Sequence, residues 1–95
     1  MSLLFESKFP TGLVVVTPGA SDLLAEQQLN PLEFIERHVN CDWGSASKED
    51  WERNDQALID GTRILSAYTL DNDDKIWIIT EADRSVTTIL LPSEY

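Results

Sequence analysis

Apolar positions divide the chain into a short strand, a helical stretch and a second group of strands. The run Leu13-Val14-Val15-Val16 lies between Gly12 and Pro18 and is too short for a helix, so it predicts a buried strand. After Gly61 the pattern changes, and residues 63–70, 75–80 and 85–91 have the β-branched and aromatic content of strands. Because short polar turns join these three segments, they predict an antiparallel meander.

Signals for helix ends lie between these two groups of strands. The pair Thr17-Pro18 predicts a first helix with a capping threonine and proline in the first turn. Asn30-Pro31 followed by Glu33 predicts a second helix at residues 31–39 that begins with a capping box.

A third helix is predicted between Ser47, which is a good N-cap, and Gly61, which is a good C-terminal residue. Its inward residues are predicted to be Trp51, Ala57 and Leu58.

The order of these elements predicts the α+β class. We expect two or three N-terminal helices packed on one face of a small antiparallel sheet. The C-terminal three-stranded meander forms that sheet, and the strand at residues 13–16 is a candidate fourth member. At 95 residues the chain is predicted to form a single domain, 1–95.

The charge of the chain adds to this picture. The sequence has 17 Asp and Glu residues and 7 Lys and Arg residues, which gives a formal net charge of -10. Such a charge opposes direct binding to nucleic acid and to anionic membranes. It favours solubility and basic partners. The acids are concentrated in residues 21–60, which hold ten acids and three bases. An acidic surface that serves only for solvation remains an alternative.

The cellular location follows from what the sequence lacks. Cys41 is the single cysteine, so no intrachain disulfide can form. The apolar run at 13–16 is far below the ~20 residues that a membrane helix needs. Residues 1–8 lack the basic start and apolar run of a signal peptide. We therefore expect a cytoplasmic protein that does not bind membranes.

Metal and cofactor sites are not predicted. His38, Cys41 and Asp42 supply at most three ligands, whereas structural zinc needs four. Residues 71–74 resemble the start of a calcium loop, but Ile76 and Ala82 stand where that loop needs Gly and Glu. There is no glycine-rich phosphate loop.

The histidine and the tryptophans fit structural roles. His38 is interpreted as the end of the second helix, where a partly cationic side chain suits the helix dipole. Trp51 and Trp77 fit core positions, while Trp43 lies in a loop and fits either a core position or a contact surface.

Several motifs lie in roughly the last two thirds of the chain. They are His38, Asp42-Trp43-Gly44, Asn54, Gly61, Ser66-x-Tyr68, Trp77-x-Ile79-Thr80-Glu81-Ala82-Asp83-Arg84-Ser85, Thr87-Thr88 and Leu91-Pro92-x-Glu94-Tyr95. This set resembles a family of small uncharacterised bacterial proteins that are often found on plasmids and other mobile elements. The resemblance implies a bacterial origin and a mobile-element context, and the family supplies no activity that can be carried over to this chain.

A second resemblance is architectural. Helices followed by an antiparallel sheet, with Arg63 opening its first strand and Arg84 near its last hairpin, are similar to the barnase, colicin and RelE-like ribonucleases. Those enzymes need a base, an acid and cations around the scissile phosphate. The resemblance implies that His38, Arg63 and Arg84 would be the catalytic residues of a ribonuclease-like toxin domain.

The leading hypothesis is instead a non-catalytic interaction protein with a protein partner. Acids spaced along helices can imitate a row of phosphates, which indicates a basic nucleic-acid-binding or defence protein as the partner. The predicted partner-binding residues are Asp42, Trp43, Glu49, Asp50, Glu52 and Asp55. No oligomeric state is predicted.

Overall fold

A computed structural model describes residues 7–95, and these residues form three helices and a four-stranded mixed sheet. In chain order the elements are β1 (Leu13–Val16), α1 (Pro18–Glu26), α2 (Pro31–Val39), α3 (Lys48–Asp60), β2 (Ile64–Thr69), β3 (Lys75–Thr80) and β4 (Val86–Leu90), followed by a 3₁₀ turn at Pro92–Glu94. The predicted α+β class is confirmed. The interpretation of residues 1–8 falls almost entirely outside the described residues.

The sheet has the strand order β1-β4-β3-β2. The pairs β2–β3 and β3–β4 are antiparallel, which confirms the C-terminal meander. The pair β1–β4 is parallel, so the prediction of a wholly antiparallel sheet is wrong. Parallel neighbours need a long connection, and the chain supplies one, because all three helices and two strands lie between β1 and β4.

Side chains cap the three helices as predicted. Thr17, Asn30 and Ser47 accept hydrogen bonds from main-chain N–H groups of the first turns, at 3.3, 3.0 and 3.1 Å. Asn30 Oδ1 accepts from the N–H of Leu32 and not from that of Glu33, and the Glu33 carboxylate makes no return bond to Asn30 within residues 7–95, so Asn30 is a simple cap and the predicted capping box does not form. None of the helices in residues 7–95 combines the length and apolar content needed to cross a bilayer.

The main core lies on one face of the sheet. Alternate strand residues point into it, because successive side chains of a strand point to opposite faces. From the sheet it contains Ile64, Tyr68, Ile76, Ile78 and Ile89, and from the rest of the chain Phe9, Ala20, Leu24, Phe34, Ile35, Val39, Trp43, Ala57 and Leu70. Trp77 lies on the opposite face and is only half-buried beside Tyr95, so its predicted core position is wrong.

Two further predictions are wrong because the element concerned lies at an edge of the sheet. Helix α3 lies along β2 and buries only a narrow strip, which contains Asn54 and Ala57 and leaves Leu58 exposed. Strand β1 is an exposed edge strand and not a buried one. A β-branched run has the same appearance in either place, which is why the sequence predicted burial.

Candidate functional site

His38 is the most perturbed ionisable residue near the centre of the fold. It lies on the inner side of α2 together with Phe34 and Ile35, and it is wholly buried. Its Nδ1 is hydrogen-bonded to the Ser66 hydroxyl, and its Nε2 lies 2.8 Å from Thr80 Oγ1. His38 lies in the last turn of α2, as predicted, but its buried ring is hydrogen-bonded within the core and is not a cation that serves the helix dipole.

A chain of buried hydrogen bonds continues from His38 across the sheet. Thr80 Oγ1 lies 2.8 Å from Thr87 Oγ1, and the Thr87 hydroxyl donates to the main-chain oxygen of Thr11 at 2.8 Å. We call His38, Ser66, Thr80 and Thr87 the buried polar chain. It runs from β2 to the segment just before β1.

The hydrogen bonds of the buried polar chain determine which nitrogen of His38 carries the proton. A hydroxyl has one hydrogen to donate. Since Thr87 donates to Thr11, Thr80 must donate to Thr87, and Thr80 must therefore accept from Nε2 of His38. Nδ1 then accepts from Ser66, and the neutral imidazole has both nitrogens satisfied.

Burial of the ring, and after it the positive charge of Arg84, lowers the pKa of His38 to about 3. The imidazole is therefore neutral at pH 7. A general base or acid works best with a pKa near the operating pH and must reach its substrate. His38 satisfies neither condition in this arrangement.

The other two predicted ribonuclease residues are also engaged. The guanidinium of Arg84 donates to the carbonyl oxygens of Ala57, Thr62 and Glu81 at 3.1, 2.6 and 3.2 Å. Arg63 lies over the Tyr95 ring, 5.5 Å from its centroid, and donates to the Tyr95 hydroxyl. With His38 buried, the three residues do not form an accessible catalytic cleft.

Trp43 was predicted as a partner contact, but it is wholly buried, and that prediction is wrong. Its ring packs near His38, with centroids 5.7 Å apart, and its Nε1 donates to Asp55 Oδ1 at 3.1 Å. Asp42 remains half-exposed and pairs with Arg37 at 2.8 Å. The hydrogen bond from Arg37 holds the pKa of Asp42 below its ordinary value.

The remaining predicted contact residues lie together on α3. Asp50 pairs with Arg53 at 3.1 Å, whereas Glu49 and Glu52 are exposed and make no hydrogen bond or ion pair within residues 7–95. Asp55 is exposed as well, despite its bond from Trp43. These exposed carboxylates form an acidic surface on α3, and their role as a partner contact stays a prediction.

An apolar side chain stands within this acidic surface. Ile59 is 78% exposed and lies four residues after Asp55 and seven after Glu52, so the three share one side of the helix. We call Glu49, Glu52, Asp55, Ile59 and Asp60 the α3 outer face. Sequence reasoning missed Ile59, although its position opposite Asn54 and Ala57 would have placed it there.

Helix α3 is held against the sheet by a buried carboxamide. Asn54 donates to the main-chain oxygen of Leu65 at 2.6 Å and accepts from the N–H of Leu65 at 3.0 Å. The bond from Arg84 to Ala57 adds a second attachment near the end of the helix. These bonds fix helix α3 to the sheet, and the α3 outer face therefore has a fixed position.

Two grooves lie near the ends of the sheet. One, of about 330 Å³, runs beside α3 and is lined by Asp50, Arg53, Asn54, Thr62, Arg63, Leu65 and Trp77. The other, of about 490 Å³, is shallower and is lined by Leu23, Asp73, Asp74, Lys75, Leu91, Pro92 and Ser93. Within residues 7–95 no group of three or more His, Cys, Asp or Glu side chains is placed to hold a metal ion.

The motif residues of the sequence take part mainly in internal contacts. The bonds of His38, Asn54, Ser66, Thr80 and Arg84 join the helices to the sheet or to its turns. Comparison of the chain with protein-family models, with curated proteins and with solved structures found no match.

Proposed function

We propose that this chain is a non-catalytic interaction protein whose α3 outer face binds a basic protein. The observation that carries the proposal is the pair Glu49 and Glu52, exposed and without an ionic partner in residues 7–95, on a helix fixed by Asn54. Ile59 supplies an apolar contact beside these carboxylates. An apolar centre with a charged rim is the usual composition of a protein interface.

Electrostatics favour a partner that itself binds nucleic acid. The net charge of -10 accelerates encounter with a basic surface and repels acidic ones. Carboxylates three or four residues apart on a helix repeat about every 5–6 Å at Cβ and present a row of negative charges. The resemblance to proteins of bacterial mobile elements adds a setting in which nucleic-acid-binding and defence proteins with basic surfaces are the candidate partners.

The test compares two pairs of charge reversals. Glu49→Lys/Glu52→Lys alters the α3 outer face, and Asp22→Lys/Glu26→Lys alters two exposed acids of α1 while changing the net charge equally. The tagged wild-type chain is first used to capture partners from a lysate of its host, and the captured protein is identified. The affinity of this purified partner for the wild-type chain and for each variant is then measured by titration calorimetry.

We expect a basic partner whose affinity falls at least about tenfold with the α3 variant, or ~1.4 kcal/mol. The α1 variant should lower that affinity much less. Equal loss with both variants would show that only net charge matters, and capture of no basic protein would reject the proposal. Ile59→Ser should also weaken binding without changing the charge.

A further inference from the structure

The outer side of β1 carries main-chain groups that are available for another strand. In β1 the N–H of Leu13 donates to the Ser85 oxygen at 3.0 Å, and just beyond it Thr17 donates to Ile89 at 2.9 Å. Because alternate residues of a strand face the same neighbour, Val14 and Val16 direct their N–H and C=O groups away from β4. Within residues 7–95 these groups have no hydrogen-bond partner.

The side chains of β1 are apolar and exposed. Leu13, Val14 and Val16 are 68%, 40% and 37% exposed. Proteins usually protect such an edge with a charge, a proline or a bulge, since it otherwise pairs with another strand. No charged residue occurs from Phe9 to Ser21, although the chain as a whole is strongly acidic.

We propose that β1 pairs with β1 of a second copy of this chain and joins the two sheets into one continuous sheet of eight strands. A two-fold axis midway between the Val15 residues of the two copies makes the two strands antiparallel. Val14 then lies opposite Val16 of the second copy, and the two residues exchange N–H···O bonds on each side of the axis. The same patch serves both copies, as a two-fold interface requires.

Symmetry and the local absence of charge indicate a second copy as the occupant. The outward groups of Val14 and Val16 match those of a second β1 about Val15, and the run 9–21 contains no charged residue. The Glu94 carboxylate, which touches this run at Thr17 and Gly19, lies beyond the end of β1 and already accepts hydrogen bonds from both residues. A basic partner would instead be attracted to the acidic helices. Repulsion between more distant acids is screened beyond about 8 Å at physiological ionic strength, so added salt should strengthen the pairing.

The pairing leaves the proposed partner surface accessible. Helix α3 is attached to β2, and β2 is at the opposite edge of the sheet from β1. The dimer would therefore present two α3 outer faces at its two ends. The dimer proposal does not depend on the proposed function, because it is tested on the purified chain alone.

The test uses a proline and a matched control at one position. Val14→Pro removes an outward N–H and keeps the bonds from β1 to β4, and edge strands tolerate proline at such a site. Val14→Thr keeps the N–H and the β-branched shape. Sedimentation equilibrium over a wide concentration range, at low and high salt, gives the dimer dissociation constant for each protein.

We expect the wild-type chain to dimerise more tightly at high salt, Val14→Thr to behave similarly, and Val14→Pro to weaken the dimer at least about tenfold. Val16→Asp, which leaves the main chain intact and brings two carboxylates into the seam, should weaken it as well. Circular dichroism verifies that each variant is folded. A wild-type chain that is monomeric at every concentration, or a dimer that neither Val14→Pro nor Val16→Asp weakens, would overturn the proposal.

Discussion

The main-chain hydrogen-bonding groups are satisfied to different extents at the two edges of the sheet. At the β2 edge, the N–H and C=O of Leu65 are bonded by the Asn54 carboxamide, and Ala67 is bonded to Trp43 and Ser45 at 3.2 and 2.7 Å. At the β1 edge, no described residue plays this part. A side-chain amide and a short loop thus replace a further strand at one edge, and the other edge remains open to pairing.

The largest expected effect is at the loop that closes the β2 edge. Gly44 has φ +69°, and a Cβ there would lie 2.1 Å from the Ala67 oxygen and 2.5 Å from the Tyr68 ring. Gly44→Ala should cost more than about 3 kcal/mol or prevent folding, because clash and backbone strain add.

Gly61→Ala is the matched control for this variant. Gly61 has φ +73°, but a Cβ there meets no atom within 4 Å. Its substitution should therefore cost only the left-handed backbone penalty, about 1–2 kcal/mol. Urea denaturation of both variants measures the difference, and equal losses would show that the closed edge is not under the steric constraint described.

The next effect concerns the side chain that pairs with β2. Asn54→Ala leaves the part-buried N–H and C=O of Leu65 without protein partners, and each such group costs about 1–3 kcal/mol when cut off from water, so partial exposure places the loss in the lower part of that range. We expect a loss of about 2–4 kcal/mol in urea denaturation and faster exchange of the Leu65 amide hydrogen. Gln56→Ala, at an exposed site on the same helix, should be nearly neutral. Similar stabilities of the two variants would argue against Asn54 as the edge partner.

Acid should lower the free energy of unfolding through the buried His38. The unfolded chain protonates His38 near pH 6.5, whereas the folded chain resists protonation until a pKa of about 3 because the ring is buried. The unfolded state therefore binds more protons below pH 6.5, and the free energy of unfolding should fall by about 2 kcal/mol between pH 6.5 and 5. Denaturation of His38→Gln over the same range should show a much flatter dependence, and an unchanged slope would contradict this origin.

The smallest effect concerns the end of β1. The Glu94 carboxylate accepts from the Thr17 hydroxyl and from the N–H groups of Gly19 and Leu91, at 2.5, 3.1 and 2.9 Å. These bonds, that of Thr17 foremost, hold the pKa of Glu94 below its ordinary value. Its contribution is therefore present above about pH 4.5 and is lost as pH falls through the lowered pKa.

Glu94→Gln should accordingly lower the Tm at neutral pH by less than Asn54→Ala does, and the difference from wild type should shrink in acid. Scanning calorimetry at neutral and acid pH tests this. A difference of constant size at both pH values would exclude the carboxylate as its cause.

Local signals predicted the elements, and long-range contacts decided their roles. The caps at Asn30 and Ser47 lie within a few residues of the groups they bond, so the sequence shows them directly. The role of His38 depends on Thr80, which is 42 residues away in the sequence. A β-branched run looks the same whether its strand is parallel or antiparallel and whether it is buried or exposed, so the pairing and exposure of β1 could not be predicted.

The candidate site was predictable to a similar extent. The exposure of Glu49 and Glu52 follows from their helix positions and charge. The burial of Trp43 could not be read from its loop, since it depends on the sheet and on Phe9. Ile59 could have been found by counting around the helix from Ala57.

The positions of the tryptophans have a spectroscopic consequence. Trp43 is sealed in the main core with its ring centroid 5.7 Å from that of His38, and Trp77 lies on the other face with its centroid 5.7 Å from that of Tyr95. A red shift of Trp43 emission would signal water entering the core, and quenching of it in acid would signal an imidazolium beside the indole. Trp77 emission would instead follow release of Tyr95, so variants that keep only Trp43 or only Trp77, with Trp51 also replaced, give each face of the sheet its own fluorescent signal.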